Sequence, residues 1–94
     1  MKYFVYLLVS RKYGRTFSYA GVTSDLKKRI NLHNSSKGAK YTRGKKWHLA
    51  YKKSYNYKSK ALKEEYRLKK DKKKREKIKL NFNLKNENFN SFAL

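Results

Sequence analysis

The sequence predicts an α+β domain: a small three-stranded antiparallel sheet flanked by helices, in the order β-β-α-β-α-α. Three observations carry this. The chain opens on a run of β-branched and aromatic residues, the composition of a buried strand. A glycine-containing turn separates that run from a second one of the same character, which is the signature of a hairpin. Beyond it, residues able to cap helices precede two long stretches and one short, very basic stretch.

The elements follow in order. Lys2 to Val9 is apolar or aromatic at almost every position, so it reads as a strand buried on both faces. Tyr13-Gly14-Arg15 supplies the turn, and Thr16 to Val22 returns antiparallel. Thr23 or Ser24 can cap a helix, with Asp25 favourably placed against the dipole in its first turn, running to about residue 34. Ser35 to Gly44 is a polar loop with two glycines. Trp47 to Ser54 alternates enough for a third strand. Ser59 can cap a second helix through Lys70, and Asp71 a third ending near Leu80. The expected division is a domain over residues 1–80 and an Asn-rich tail, loosely docked, over 81–94.

At 94 residues there is room for one domain. The charge is the strongest compositional signal: 27 Lys+Arg face 6 Asp+Glu, a formal net charge of +21. Such a chain repels itself, and a polyanion is its natural partner. A basic helix lying on anionic lipid is another reading, and a Lys- and Asn-rich genome bias contributes to the excess. Nine tyrosines set the chain apart from a low-complexity basic tail. No apolar run is long enough to span a bilayer and no signal-peptide pattern opens the chain, so no membrane partner is expected. The absence of Cys excludes disulfides and thiolate metal sites and fits a cytoplasmic protein. A protein partner or homodimer has no signal in the sequence.

Several chemistries are excluded. The glycines at 14, 21, 38 and 44 match no phosphate-cradling loop. His33 and His48 are the only histidines, so zinc clusters are out. The carboxylates Asp25, Glu64, Glu65, Asp71, Glu76 and Glu87 are too scattered for a carboxylate-rich two-metal site. A metal-dependent enzyme with this sequence must work with one ion and very few carboxylate ligands.

Helix faces narrow the choice. With Ala61 set at 0° and about 100° per residue, Leu62 falls near 100°, Tyr66 near 140° and Leu68 near 340°. Glu65, near roughly 40°, then lies inside that apolar arc, and Glu64, near roughly 300°, at its edge. A carboxylate amid apolar neighbours needs compensation. Either an ion pair with Lys69 one turn on or a bound cation supplies it. In the first helix Leu26 and Ile30 form the stripe, and Arg29 and His33 lie one turn apart beside it. Arg29 is the cation aimed inward, where its planar fork can hold a phosphate; the alternative is an Arg snorkelling outward. His33 can equally be a helix-end histidine bonded to a backbone carbonyl. By composition alone Tyr6 and Tyr19 are core aromatics, Trp47 is core and His48 solvated. The lysine run from 69 to 79 reads as a solvated face or as a ridge that meets phosphates.

These residues, in this order, resemble the GIY-YIG nuclease family, small stand-alone type. Phe4-Val5-Tyr6 stands at the family's first motif, with Phe4 in place of Gly, and Tyr19-Ala20-Gly21 at the second, with Ala20 in place of Ile or Val. Ser24 to Ile30 is similar to the helix that carries the family's catalytic Arg, here Arg29, with His33 one turn later. Gly38-Ala39-Lys40-Tyr41-Thr42-Arg43 resembles the loop of the small bacterial members. Ala61 to Tyr66 aligns with the helix whose second acidic position, here Glu65, binds metal. The resemblance covers residues 2 to 80; the lysine-rich third helix and the tail depart from it.

The resemblance implies a metal-dependent endonuclease hydrolysing phosphodiester bonds, DNA being the expected substrate, branched or damaged DNA included. It implies Tyr6, Tyr19, Arg29, His33 and Glu65 as catalytic residues, with Glu65 holding one Mg²⁺ or Mn²⁺. Either tyrosine can be the base. Tyr41 would position the phosphate, and Lys28, Lys40, Thr42 and Arg43 would grip the backbone. A non-catalytic DNA- or RNA-binding module on the same fold is the alternative, and a basic structural protein of a ribonucleoprotein a more distant one.

Overall fold

The computed structural model describes residues 1–85. Its order is β1 (Tyr3–Lys12), β2 (Arg15–Thr23), α1 (Leu26–Asn34), a 3-10 turn (Lys40–Thr42), β3 (His48–Tyr55), α2 (Lys58–Lys70) and α3 (Lys72–Lys85). The three strands form one antiparallel sheet in the order β2-β1-β3. This is the expected α+β architecture and element order.

The central position of β1 explains its composition. Residues 5 to 10 are all buried, because both faces of the strand are covered. Tyr13 and Gly14, at φ +56° and +73°, make the two-residue connection to β2. Two left-handed residues are what a tight hairpin of right-twisted strands requires. The register sets Tyr6 opposite Gly21 and Leu8 opposite Tyr19. Against β3 the pairing slips between Leu7 and Leu8, where a bulge lets Leu7 face Tyr51 and Leu8 face Leu49.

Alternation along β1 divides the core. Val5 and Leu7 pack with Ala20, Ala61 and Leu68 under the helices α2 and α3. Tyr6 and Leu8 pack with Trp47 on the other face, where Leu26 and Ile30 of α1 close over them.

Helix ends differ from the expected ones in three places. Asp25 itself caps α1, its side chain accepting from the Lys28 amide at 3.1 Å, while the Thr23 hydroxyl accepts from the Asp25 amide at 3.1 Å. The acid is therefore the cap and not a first-turn residue. Helix α2 starts at Lys58, so Ser59 lies inside the first turn and Tyr57 stands at the cap with no side-chain bond. Asp71 caps α3 through the Lys74 amide at 3.0 Å, as its position suggests. That helix continues to Lys85 instead of ending near Leu80. Contacts with the sheet hold the added turn: Asn83 Nδ2 donates to Thr16 Oγ1 at 3.4 Å, and Phe82 lies 6.0 Å from the His48 ring. Residues 86–94 of the expected tail lie outside the described residues. No helix among the described residues is long and apolar enough to cross a membrane.

Candidate active site

The helical face of α1 that meets the sheet carries Arg29 and His33, and both arrive beside the tyrosines of β1 and β2. Tyr6 and His33 are almost wholly buried. The Tyr6 hydroxyl lies 3.1 Å from His33 Nε2, and the other ring nitrogen, Nδ1, lies 2.9 Å from Thr42 Oγ1. His33 is thus bonded at both nitrogens to side chains, and not to a backbone carbonyl. Tyr19 lies 5.0 Å from the His33 ring.

Two glycines make this packing possible. A Cβ on Gly21 would stand 2.3 Å from the Tyr6 hydroxyl oxygen, and one on Gly38 would stand 2.4 Å from His33 Nδ1. Neither glycine has a left-handed backbone; each is small because a buried side chain passes over it. Gly21 belongs to the second motif. The role of Gly38 had no local signal in the sequence beyond lying in a Gly-containing loop, since it depends on a histidine five residues upstream across a helix end.

Arg29 completes the cluster. Its guanidinium interacts with the phenol oxygens of Tyr6 and Tyr19, chiefly by hydrogen bonding to Tyr6, and this holds it in its charged form. Its Nε is buried without a hydrogen-bond partner. Burial pushes the Tyr6 phenol up, against the opposing pull of Arg29, with Tyr19 and Glu65 adding to the rise. Burial also pushes His33 down, and the Arg29 charge adds to that.

Glu65 lies on α2, but not at the centre of an apolar face. The buried stripe of α2 is Ala61 and Leu68, whereas Leu62 and Tyr66 are exposed. The wider arc expected from helical spacing therefore counted two residues that never meet the sheet. Glu64 and Glu65 flank the true stripe, with side chains 22% and 19% exposed, and burial does not separate them. Their partners do: Glu64 pairs with Lys60 at 3.5 Å and Arg67 at 3.0 Å, and its charge adds to the rise of the Tyr55 phenol, whereas the Glu65 charge makes the smallest of the contributions to the rise of Tyr6. Glu65 has Lys69 at 3.6 Å, the ion pair that helical spacing suggested.

The loop residues separate into two kinds. Lys28, Lys40 and Arg43 are exposed. Tyr41 is half-exposed and stacks on Tyr19, with ring centres 6.2 Å apart and planes 23° apart, and it also lies 6.2 Å from Trp47. The ammonium of Lys45 sits over the rings of both Phe17 and Tyr41. Thr42 is different: it is fully buried, so its hydroxyl is not available to a nucleic-acid backbone. The reason is its place at the end of the 3-10 turn, which tucks it beneath His33. Asn34 went unnoticed in the sequence. Its side chain accepts from the Trp47 amide at 2.6 Å and donates to the Trp47 carbonyl at 3.1 Å, pinning β3 to the end of α1. Nothing local marks it, because its partner is thirteen residues away.

The arrangement has relatives. The GIY-YIG catalytic domain family matches residues 2–79. A UPF0213 protein of Oceanobacillus iheyensis is 41% identical over 69 residues, 72% of this chain and 77% of that one. A UPF0213 protein of Bacillus pumilus is 50% identical over 52 residues, and there the match spans only about half of each chain, 54% and 53%. A UPF0213 protein from Bacillus halodurans, solved in solution by NMR, is 36% identical and matches with a TM-score of 0.47 over 83% of this chain and 82% of that one.

Proposed function

Because the chain belongs to the GIY-YIG catalytic domain family, we propose that it is a metal-dependent endonuclease that hydrolyses phosphodiester bonds in DNA. The observation that carries this reading is the cluster of Arg29 beside the Tyr6 phenol and Tyr6 bonded to His33, with the Glu65 charge acting on the same phenol from α2. The net charge of +21 suits a polyanionic substrate.

The donor set fits a hard ion. Among the described residues no three His, Cys, Asp or Glu gather to cage a metal. Glu65 is partly exposed and only loosely paired. A single carboxylate suits Mg²⁺ or Mn²⁺, which keep several waters and take phosphate oxygens as further ligands. When bound, the ion supplies positive charge to the leaving oxygen and to the phosphorane-like transition state.

The protein's own groups do the rest. Arg29 lends charge to the non-bridging oxygens, and an anion against its guanidinium offsets the cost of its unsatisfied donor. Either tyrosine can be the base: Tyr19 is the more exposed, and Tyr6, where a water reaches its buried oxygen, takes that water's proton while its own proton moves along the 3.1 Å bond to His33. The ordinary acidities of phenol and imidazolium differ by about 3.5 units, or about 5 kcal/mol. Burial widens that gap from both sides. A standing tyrosinate–imidazolium pair is therefore scarcely populated, and the proton moves in concert with attack on phosphorus. The exposed Lys28, Lys40 and Arg43 hold neighbouring phosphates, and Tyr41 meets the substrate beside Tyr19.

The test is cleavage of labelled duplex, flap, four-way-junction and RNA substrates with Mg²⁺, Mn²⁺ or EDTA. Cleavage of at least one DNA substrate should require the metal. Arg29→Lys should fail as Arg29→Ala does, because a point charge does not reproduce the planar fork, while Lys28→Ala should stay close to wild type in turnover at low salt, where the other cations still hold the substrate. Binding without cleavage under every condition would make the chain a non-catalytic binding module instead.

A further inference from the structure

Thr42 is fully buried and, beside the backbone bond of its amide to the Ala39 carbonyl at 3.1 Å, makes three further hydrogen bonds at the floor of the cluster. Its hydroxyl lies 2.8 Å from the Ala39 carbonyl oxygen and 2.9 Å from His33 Nδ1, and its own carbonyl accepts from Trp47 Nε1 at 2.9 Å. The proton count at this hydroxyl is decisive. A threonine has one O–H proton, and a carbonyl can only accept. Two oxygens 2.8 Å apart repel unless a proton lies between them, so the Thr42 proton points to Ala39. The remaining contact then requires a proton from the histidine: His33 Nδ1–H donates and Thr42 Oγ1 accepts. A neutral imidazole carries one N–H, so Nε2 is left with its lone pair. The Tyr6 hydroxyl stands 3.1 Å from that lone pair and donates to it.

We propose that Thr42 is a positioning residue that fixes the tautomer of His33, so that Nε2 is the bare acceptor for the Tyr6 proton. The catalytic part of this rests on the nuclease reading above; the tautomer does not. The opposite tautomer, with the proton on Nε2, would donate to Tyr6 and leave the phenol no acceptor on the histidine. Two neighbours keep the geometry in place. The Trp47 indole fixes the Thr42 backbone, and Gly38 leaves room for the Nδ1 edge of the ring, where a Cβ would collide at 2.4 Å. Burial, and then Arg29, lower the His33 pKa from the ordinary imidazole value, which favours the neutral ring whose tautomer these bonds decide.

The experiment reads the imidazole directly, by two-bond ¹H–¹⁵N correlation spectra of the ¹⁵N-labelled full chain at neutral pH. The chain has two histidines, and His48→Asn assigns the signals. Wild type should show Nδ1 protonated and Nε2 bare at His33. Thr42→Val, which keeps the shape but not the hydroxyl, should shift His33 toward the Nε2–H form. Its single-turnover cleavage should fall on the order of 10²-fold, the scale of lost acid–base catalysis. Thr42→Ser should restore both the spectrum and the rate to within a few-fold. An Nε2–H signal in wild type overturns the proposal, even if Thr42→Val does not fold. So does an unchanged His33 spectrum in a folded Thr42→Val. Should wild type cut nothing, the nuclease reading fails alone, and an Nδ1–H spectrum still supports the role of Thr42.

Discussion

The two faces of the sheet are made from alternate residues of the same strand, yet they do different work. Beneath α2 and α3, Val5 and Leu7 meet Ala20, Ala61 and Leu68, an aliphatic contact with no polar atom to satisfy. Beneath α1, Tyr6 and Leu8 meet Trp47, and two buried polar side chains, His33 and Thr42, join them. The first face stabilises the domain by removing apolar surface from water. The second buries polar groups at a cost that only a complete set of partners offsets. The adjacent acids of α2 also differ in their partners: Glu64 pairs with Lys60 and Arg67, Glu65 with Lys69. A one-residue step in a strand thus separates the aliphatic scaffold from the polar cluster on which the proposed chemistry rests.

The acids offer the largest expected contrast. Glu65→Gln should lower the cleavage rate by about a thousandfold or more, because the developing charge loses several kcal/mol of stabilisation when the ion is no longer held. Nucleic-acid binding should survive or tighten, one repulsive carboxylate having gone. Glu64→Gln should change cleavage by only a few-fold and cost at most about 1 kcal/mol of stability, as partners this exposed screen the ion pairs. Cleavage, binding and melting of both variants at fixed salt decide it. A dead Glu64→Gln beside an active Glu65→Gln would reverse the assignment of the two faces.

Next come neighbours in β1. Tyr6→Phe should fold and lose about 10²-fold in single-turnover rate. Leu7→Ala should destabilise by about 2–5 kcal/mol, the cost of a cavity in a packed core, and keep most of its rate wherever it remains folded. Equal rate losses in the two variants would mean that the faces are coupled through packing alone.

Glycines sharpen the comparison at smaller scale. Gly21→Ala must push the Tyr6 ring aside, so its rate should lie between those of wild type and Tyr6→Phe. Gly14→Ala meets no neighbour but keeps a φ of +73°. It should cost about 1–2 kcal/mol with cleavage unaltered at temperatures where the variant is folded. A Gly21→Ala enzyme of full activity would show that Tyr6 need not occupy its observed place.

The mildest effect is on pH. Burial, and then Arg29, place the His33 pKa below the ordinary imidazole value. The unfolded chain therefore binds a proton near pH 6.5 and the folded chain only at lower pH. The stability this contributes is intact above about 6.5 and is lost as pH falls through the folded value. Melting curves from pH 8 to pH 5 should fall less steeply for His33→Asn than for wild type. The acid limb of the cleavage rate should likewise lie below about 6.5; a limb above it would mean that His33 is not buried.

Much of this molecule is local enough to be written in the chain. The continuous apolar run of β1, the Tyr13-Gly14 turn and the helical stripes each depend on residues a few positions apart, so order and fold class follow from spacing. Arg29 and His33 share a helix face for the same reason. Family motifs and helical spacing both point to Glu65 in the sequence, but the apolar arc behind the spacing argument includes Leu62 and Tyr66, which tertiary packing leaves in solvent. Which face of α2 is buried depends on where the sheet lies, and helical periodicity carries no such information. Thr42 is the clearest case. As a residue type in a basic loop it reads as a phosphate contact, and only the 3-10 turn, Trp47 and the ring of His33 place its hydroxyl inside. Hydrogen bonds between side chains nine or twenty-seven positions apart are set by the folded backbone. The sequence by itself determined the elements and their order; the tertiary structure decided which side chains touch, because contact depends on the packing of whole elements against each other.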